Sequence, residues 1–325
     1  MKSAIASSDI TFVIQGPIFP EITRQSVQAV RELFPESPII VSTWEGSDVG
    51  GLSANQIIFN EDPGTTIVGY KRDNSPICIN INRQLRNTLN GLKAVKTMYA
   101  VKLRSDNILG DTKFVSEFLS YPERESKYSL FKQRIVTTTF YAKEQTKGIS
   151  IPYFVSDFFH FGLTEDLLAL WDIPEFQTYQ YNEKLRGQRQ HWQSPYRLIH
   201  TEQAMWVGFL AKYHNVYLND EYGRECDIAD SYQFIVNNLI MLDNSQSLNL
   251  KVQKRLEQPN PFPYEFYSQE RWKWLYEQQF GTSLNVSLTF KLKWYLARVY
   301  KFLHKGIGNM LKTYFIRLRL REKLN

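Results

Sequence analysis

Residues 10–17 read Ile10-Thr11-Phe12-Val13-Ile14-Gln15-Gly16-Pro17, a β-rich run that ends at a glycine and a proline. Working outward, Ile22, Val27, Val30 and Leu33 recur at helical spacing and predict a helix over 23–33. Pro38–Thr43 and Asn55–Phe59 then read as two further strands. Strand, helix, strand, strand within the first 60 residues is the opening of an open, mainly parallel α/β sheet flanked by helices, which binds ligands at the C-terminal ends of its strands. The loops after those strands are Gln15-Gly16-Pro17, Thr43-Trp44-Glu45-Gly46 and Asn60-Glu61-Asp62-Pro63-Gly64. Each combines polar side chains with residues that let backbone approach a ligand.

Downstream, Ile81, Leu85, Leu89, Leu92 and Val95 mark one face of a helix within 80–99, with Asn82, Arg83, Arg86 and Asn90 on its polar edge. A strand from Tyr99 then runs toward Arg104-Ser105-Asp106-Asn107, whose last two residues it would deliver to the binding crevice. Helices are expected over Thr164–Trp171, with Thr164 as N-cap, and from Thr201 to about Lys212. Residues 172–195 and 241–265 are polar and punctuated by proline, the second a linker. The expected organisation is a catalytic body over 1–240, a linker and helical segment over 241–288, and a C-terminal helical extension over 289–325.

The chain has 325 residues, 43% hydrophobic and 22% charged, enough to bury a core without disulfides or metals. Its two cysteines, Cys78 and Cys226, suggest neither a disulfide framework nor a cysteine metal site, so a reducing compartment is expected. The five histidines show no metal-ligand spacing and are read as structural or surface residues. Neither a signal peptide nor a run of about 18 apolar residues occurs, which excludes a membrane span.

The net charge of +6 is unevenly placed: residues 291–325 carry ten Lys or Arg against Glu322 alone, a net +9 that leaves −3 for residues 1–290. Leu292, Leu296, Val299, Leu303, Ile307, Met310 and Tyr314 share one helical face, and Lys291, Arg298, Lys305 and Lys312 the opposite one, with an interruption expected at Gly306-Ile307-Gly308. Such a basic amphipathic helix suits an anionic membrane surface, or else docks by its apolar face on its own domain and leaves the basic face in water. A lone basic helix without a binding module argues against nucleic acid as a partner.

A helix edge bearing Asn82 and Arg83, followed by a strand ending in an acid, suits an anionic nucleotide: arginine forks onto phosphate, and Asp106 with Asn107 offers hard oxygens to Mg2+ or Mn2+. Together with Val13–Pro17, Val41–Gly46, Glu61–Gly64, Asn80–Gln84 and Lys102–Asn107, and the later Val155–Asp157, Thr201–Gln203 and Asn237-Asn238, the chain resembles the WavE-type lipopolysaccharide-synthesis family over roughly residues 9–240.

The resemblance implies a bacterial glycosyltransferase of the GT-A type, with a Rossmann-type sheet, acting at the inner face of the cell membrane. It would build lipopolysaccharide, capsule or a related surface glycan from a nucleotide sugar on a glycan or glycolipid acceptor. Gln15, Gly16, Pro17, Thr43, Trp44, Asp62, Asn82, Arg83, Arg104, Asp106 and Asn107 are then the donor-binding candidates, with Asp106 also the metal candidate. The chain departs from the Asp-x-Asp pattern of GT-A enzymes by having one carboxylate, so Arg104 or Arg83 is expected to stand in for an ion, wholly or in part. An inverting transfer needs a carboxylate base, for which Glu202 is preferred over Asp157, the latter in an aromatic segment suited to stacking an acceptor sugar. The rivals are a non-catalytic scaffold that binds anionic lipid or polysaccharide, and a sugar nucleotidyltransferase, for which the basic Gly-rich loop after the first strand is missing.

Overall fold

In the computed structural model, which describes residues 5–187, 200–216, 218, 221–252 and 264–324, seven strands form one sheet. These are β1 (Ile10–Gln15), β2 (Ile39–Trp44), β3 (Gln56–Asn60), β6 (Tyr99–Arg104), β7 (Ile135–Thr138), β10 (Phe159–Leu163) and β11 (Leu239–Leu242). The order across the sheet is β11-β7-β10-β6-β1-β2-β3. All neighbours pair in parallel except β10, which runs antiparallel to both β6 and β7. Two-stranded ribbons, β4 (Thr66–Tyr70) with β5 (Pro76–Ile79) and β8 (Gln145–Thr146) with β9 (Ile149–Ser150), lie outside it. The expected open, mainly parallel α/β sheet is therefore the fold.

β1 shows why the sheet sits at the centre. All six of its residues are buried, because helices cover both faces. Phe12 points to one side, where its ring meets Phe34 just after α1 (Pro20–Leu33), and Phe34 in turn meets Phe114 of α3 (Lys113–Glu117). Val13 points to the other side, against α2 (Ile81–Lys93). On that side α2 packs beside α4 (Thr164–Trp171). The remaining helices are α5 (Thr201–Leu210), α6 (Glu225–Asn238), α7 (Gln269–Phe280), α8 (Leu288–Lys301) and α9 (Ile307–Leu324).

Three expectations need correction. Thr164 is the first residue of α4 and not its cap; its hydroxyl donates to the Thr97 carbonyl, which ties the helix to the start of β6. The boundary at 240 falls inside β11, because a parallel strand beside β7 is needed to cover that edge, and residues 243–252 continue into the body with Leu248 and Leu250 buried and Ile108 bridged to Lys251. Residues 188–199, with His191, and 253–263 of the two polar segments lie outside the described residues.

The third correction concerns the C-terminal arm. The helix is not broken at Gly306–Gly308: a π turn over Phe302–Gly306 joins α8 to α9. Gly306 lies against Gly148 at the β8–β9 turn so closely that a Cβ on Gly306 would stand 2.7 Å from the Gly148 carbonyl oxygen. α8 docks by its basic face, as Lys291 pairs with Glu277 at 2.9 Å, Arg298 with Glu144 at 3.4 Å and Lys301 with Glu265 at 2.6 Å. Its apolar face is turned outward, the reverse of what a helix docked by its leucines would do. Further along, Ile316 of α9 packs on Leu185.

Gly91 sets the height of α2 over the sheet, since a Cβ there would come within 2.4 Å of the Val13 methyl and 3.2 Å of Ser42 Cβ. In open helix, Gly→Ala stabilises by about 1 kcal/mol. Here Gly91→Ala is expected to destabilise instead, by about 1–3 kcal/mol net, because the methyl overpacks the helix–sheet contact. Chemical denaturation of both proteins, read as a fall in midpoint at constant slope, checks this.

Candidate active site

The turns that follow β1 and β6 are stitched together by short hydrogen bonds. Gly16, at φ 125°, donates its N–H to the Ser42 carbonyl at 3.0 Å, and a Cβ at this position would lie 2.8 Å from Ser105 Oγ, so a glycine is what lets the two turns touch. The Ser105 N–H donates to the Gln15 carbonyl at 2.9 Å, and its hydroxyl to the Pro17 carbonyl at 2.7 Å. Thr23 at the start of α1 donates to the Ser105 carbonyl and accepts from the Phe19 N–H, both at 3.0 Å. On the far side, the Asn60 amide donates to Ser42 Oγ and the Thr43 carbonyl, which holds the end of β2 and with it Trp44.

A cavity of about 370 Å³ opens over these strand ends. It is lined by eight of the residues expected to hold a donor: Gln15, Gly16, Pro17, Trp44, Asp62, Arg83, Arg104 and Asp106. Phe19, Asn80, Gln84 and Ser105 also line it. Each of these four is a sequence neighbour of a chosen residue, and the helical step from Asn80 through Arg83 to Gln84 was the available signal.

Three expected donor residues are not among the lining side chains. Thr43 is buried and its hydroxyl donates to Ser47 Oγ at 3.2 Å. Asn82 uses both ends of its amide on the backbone of Phe176, donating to the carbonyl and accepting the N–H at 2.8 Å each, and so anchors the segment after α4 onto α2. Asn107 is wholly buried, because the chain turns inward directly after Asp106, and neither atom of its amide has a partner.

Two arginine forks dominate the cavity wall. Arg104 donates Nε and Nη2 to the two oxygens of Asp106 at 2.8 Å each, and its guanidinium lies 4.5 Å over the ring of Phe158. Burial pulls the Arg104 pKa down, but the hydrogen bonds and charge of Asp106 more than offset that and raise it. Arg83 forks onto Asp62 at 2.7 and 2.5 Å and donates to Asn80 at 3.0 Å, and its hydrogen bonds hold the Asp62 carboxyl below the usual range. Phe158 is buried, with Tyr141 stacked on it at 5.3 Å. Its ring supports Arg104 and is not available to stack an acceptor sugar, contrary to expectation.

Asp157 and Glu202 do not line the cavity, yet both join its charge network through Arg104. Glu202 stands in the first turn of α5, and burial, then the charge of Asp157, push its carboxyl up to about 7. Asp157 is buried with Oδ1 unpartnered. Its backbone carbonyl accepts from Lys102 Nζ in the middle of β6, and burial pulls that ammonium down to about 7. Lys102 also lies 4.8 Å over the Trp171 ring. Across the strand, His160 Nδ1 accepts from Trp171 Nε1 at 3.2 Å and Nε2 lies 3.0 Å from the Ser156 carbonyl. Burial holds this imidazole neutral, with a pKa of about 3. Lys102 and His160 thus pin the Ser156–Phe158 turn from below. A lysine inside an apolar strand was the sign in the sequence that was passed over.

For Asp106 as a metal ligand the donor set is decisive. Both of its oxygens are engaged by Arg104, Asp62 is likewise forked by Arg83, and among the described residues no three His, Cys, Asp or Glu side chains gather as ligands. Mg2+ and Mn2+ take hard oxygens that are free to coordinate. The residues present do not fit a divalent cation held by the chain, and no step below passes through one. A larger hollow of about 950 Å³ lies away from this chemistry, between α6, the β8–β9 ribbon and the arm, and its wall is mainly apolar. Cys78 and Cys226 are both free and exposed.

The strand-end cavity, walled by two arginine forks, belongs to an α/β protein and opens at the C-terminal edge of its mainly parallel sheet, the edge at which such folds take their ligands. The family model described as WavE lipopolysaccharide synthesis matches residues 10–307, and the chain belongs to that family, which works in lipopolysaccharide synthesis. The match reaches past the extent read from the motifs and takes in α7, α8 and the π turn. No curated protein matches the chain.

The raised pKa of Glu202 has a consequence for stability. The folded chain holds a proton on this carboxyl that the unfolded chain releases above about pH 4.5, so its effect turns against folding as pH rises from there to about 7. Glu202→Gln carries no such proton. Thermal melts at pH 5 and pH 8 are expected to show the variant gaining on the wild type at the higher pH, and a constant difference would contradict the burial of this charge.

Proposed function

We propose that this chain is a nucleotide-sugar-dependent glycosyltransferase of the GT-A type that adds a sugar to a growing lipopolysaccharide or related surface glycan. The observation that carries this is the convergence of Arg83, Arg104 and the β1 turn on one strand-end cavity, with the Glu202–Asp157 pair tied to it through Arg104. In this reading the nucleotide lies along Gln15–Pro17 beside Trp44, and its diphosphate meets the two guanidinium groups. Arginine recognises phosphate through paired N–H donors, and here it also answers for the charge that builds as the diphosphate leaves. The forks onto Asp62 and Asp106 hold both guanidiniums in place before any ligand arrives.

Transfer requires a new bond from an acceptor hydroxyl oxygen to the anomeric carbon, while the bond from that carbon to the diphosphate oxygen breaks. The hydroxyl proton goes to a carboxylate, and the departing nucleoside diphosphate keeps the electron pair. Glu202 is the assigned base, because a carboxyl near 7 is both partly ionised and basic enough to take a proton at neutral pH. Asp157 raises it by like charge, which is how two adjacent acids come to differ in role. The base acts in its ionised form, so kcat/KM is expected to rise with pH to a plateau above about 7.

Isothermal titration with UDP-, GDP- and CMP-sugars tests donor binding, and heat with none of them would favour a non-catalytic scaffold. Glu202→Gln is expected to lower kcat by about 10²-fold with donor affinity nearly unchanged, whereas Arg104→Ala should weaken donor binding by roughly tenfold or more. If Asp157→Asn shows the larger loss of kcat and Glu202→Gln does not, the two roles are exchanged.

A further inference from the structure

The C-terminal arm is mounted inside out. Leu292 and Leu296 are 58% and 59% exposed with Tyr300 beside them, and Leu303, 63% exposed, stands with Tyr295 and Met310 at the open hollow between α6 and the arm. Soluble surfaces seldom keep such a continuous apolar face. What holds it outward is a buried acid. Glu144 is wholly buried, accepts two hydrogen bonds from Arg271 of α7 and one from Tyr232 of α6, and takes Trp294 Nε1 at 3.1 Å and the Arg298 guanidinium from α8. Turning α8 over to bury its leucines would strip Trp294 and Arg298 from that carboxylate and would also break the pairs of Lys291 with Glu277 and of Lys301 with Glu265. Leaving a buried charge short of partners costs several kcal/mol, and two further ion pairs would be lost with it.

We infer that this outward face of α8, the π turn and α9 docks on an anionic lipid bilayer. Charge selects that occupant over a second copy of the chain. Lys293, Lys312, Arg319 and Arg321 are exposed on the same two helices and, with Lys323, make no ion pair among the described residues. Two copies meeting there would set these cations against one another, whereas anionic headgroups meet them with opposite charge while the leucines and tyrosines enter the interface. The helices lie along the surface, since no helix among the described residues is long and apolar enough to cross a membrane. Because Lys291, Arg298 and Lys301 already serve internal pairs, the apolar side chains carry a larger share of the binding than the total charge of the arm suggests.

Co-sedimentation of the full chain with vesicles of equal phosphatidylglycerol and phosphatidylcholine tests this. Wild type is expected to bind them, and to bind pure phosphatidylcholine several-fold less. Replacing Leu292, Leu296 and Leu303 together by serine should weaken binding by about tenfold or more and leave the melting temperature unchanged, since all three are exposed. Reversing Lys293, Lys312 and Arg321 to glutamate should weaken binding to the anionic mixture only. Unchanged binding by the serine variant overturns the inference. So does a wild type that sediments as a dimer which the serine variant dissolves, the mark of a second copy on this face. Titration of nucleotide sugar into the same variants is expected to match wild type, so failure of the arm's assignment and failure of the transferase reading are told apart.

Discussion

A charge taken out of water must be met by an opposite charge or by lone pairs, at a cost of several kcal/mol where it is not. This constraint organises the molecule at two points. At the end of β6, Arg104 is met by Asp106 two residues later and floored by Phe158, and from there its charge reaches Asp157 and Glu202. Beneath the arm, Glu144 gathers Tyr232, Arg271, Trp294 and Arg298 from three helices. The first centre turns a set of loops into a cavity wall, and the second decides which face of the arm is seen by solvent. Removing Asp106 would strip Arg104 of its paired carboxylate, whereas Glu144 would keep partners after losing any one of its four, so the arm is the more securely held of the two.

The fold was legible because its strands are short apolar runs that end at glycine, proline or polar loops, and because α2 carries a clean helical stripe. β10 was harder to read: Phe159–Leu163 is apolar enough to be a strand, but nothing local says that it enters the sheet antiparallel between β6 and β7. β11 is cut by the expected boundary at 240 because what makes Leu239–Leu242 a strand is pairing with one about a hundred residues earlier. At the candidate site, the residues at strand ends line the cavity because topology alone places them there. Thr43, Asn82 and Asn107 stand off the cavity, because sequence does not reveal which polar side chain is taken up by its neighbours or carried into the core. The arm shows the same divide. Periodicity sorted its apolar and basic faces, but the direction in which they point depends on Glu144, Glu265 and Glu277, and only tertiary structure brings the first of these, about 150 residues distant, beneath α8.

The two centres also differ in how their buried acids are met, although each keeps an unpartnered polar atom, Arg298 Nη1 at one and Asp157 Oδ1 at the other. Glu144 has hydrogen bonds on both oxygens and strong cations beside it, the pattern of a group whose task is finished once the chain has folded. Near the strand ends, Asp157 Oδ1 and both amide atoms of Asn107 stay unpartnered while buried, and burial, then Asp157, hold Glu202 at a pKa of about 7. Each unmet polar group costs roughly 1–3 kcal/mol. Packing alone would favour replacing them with apolar residues, as β1 and β6 have done along most of their length. Asp157, Glu202 and Asn107 stand behind the cavity wall and not in it, so under the proposed reading a ligand meets the two preset guanidiniums first and reaches these groups only through them.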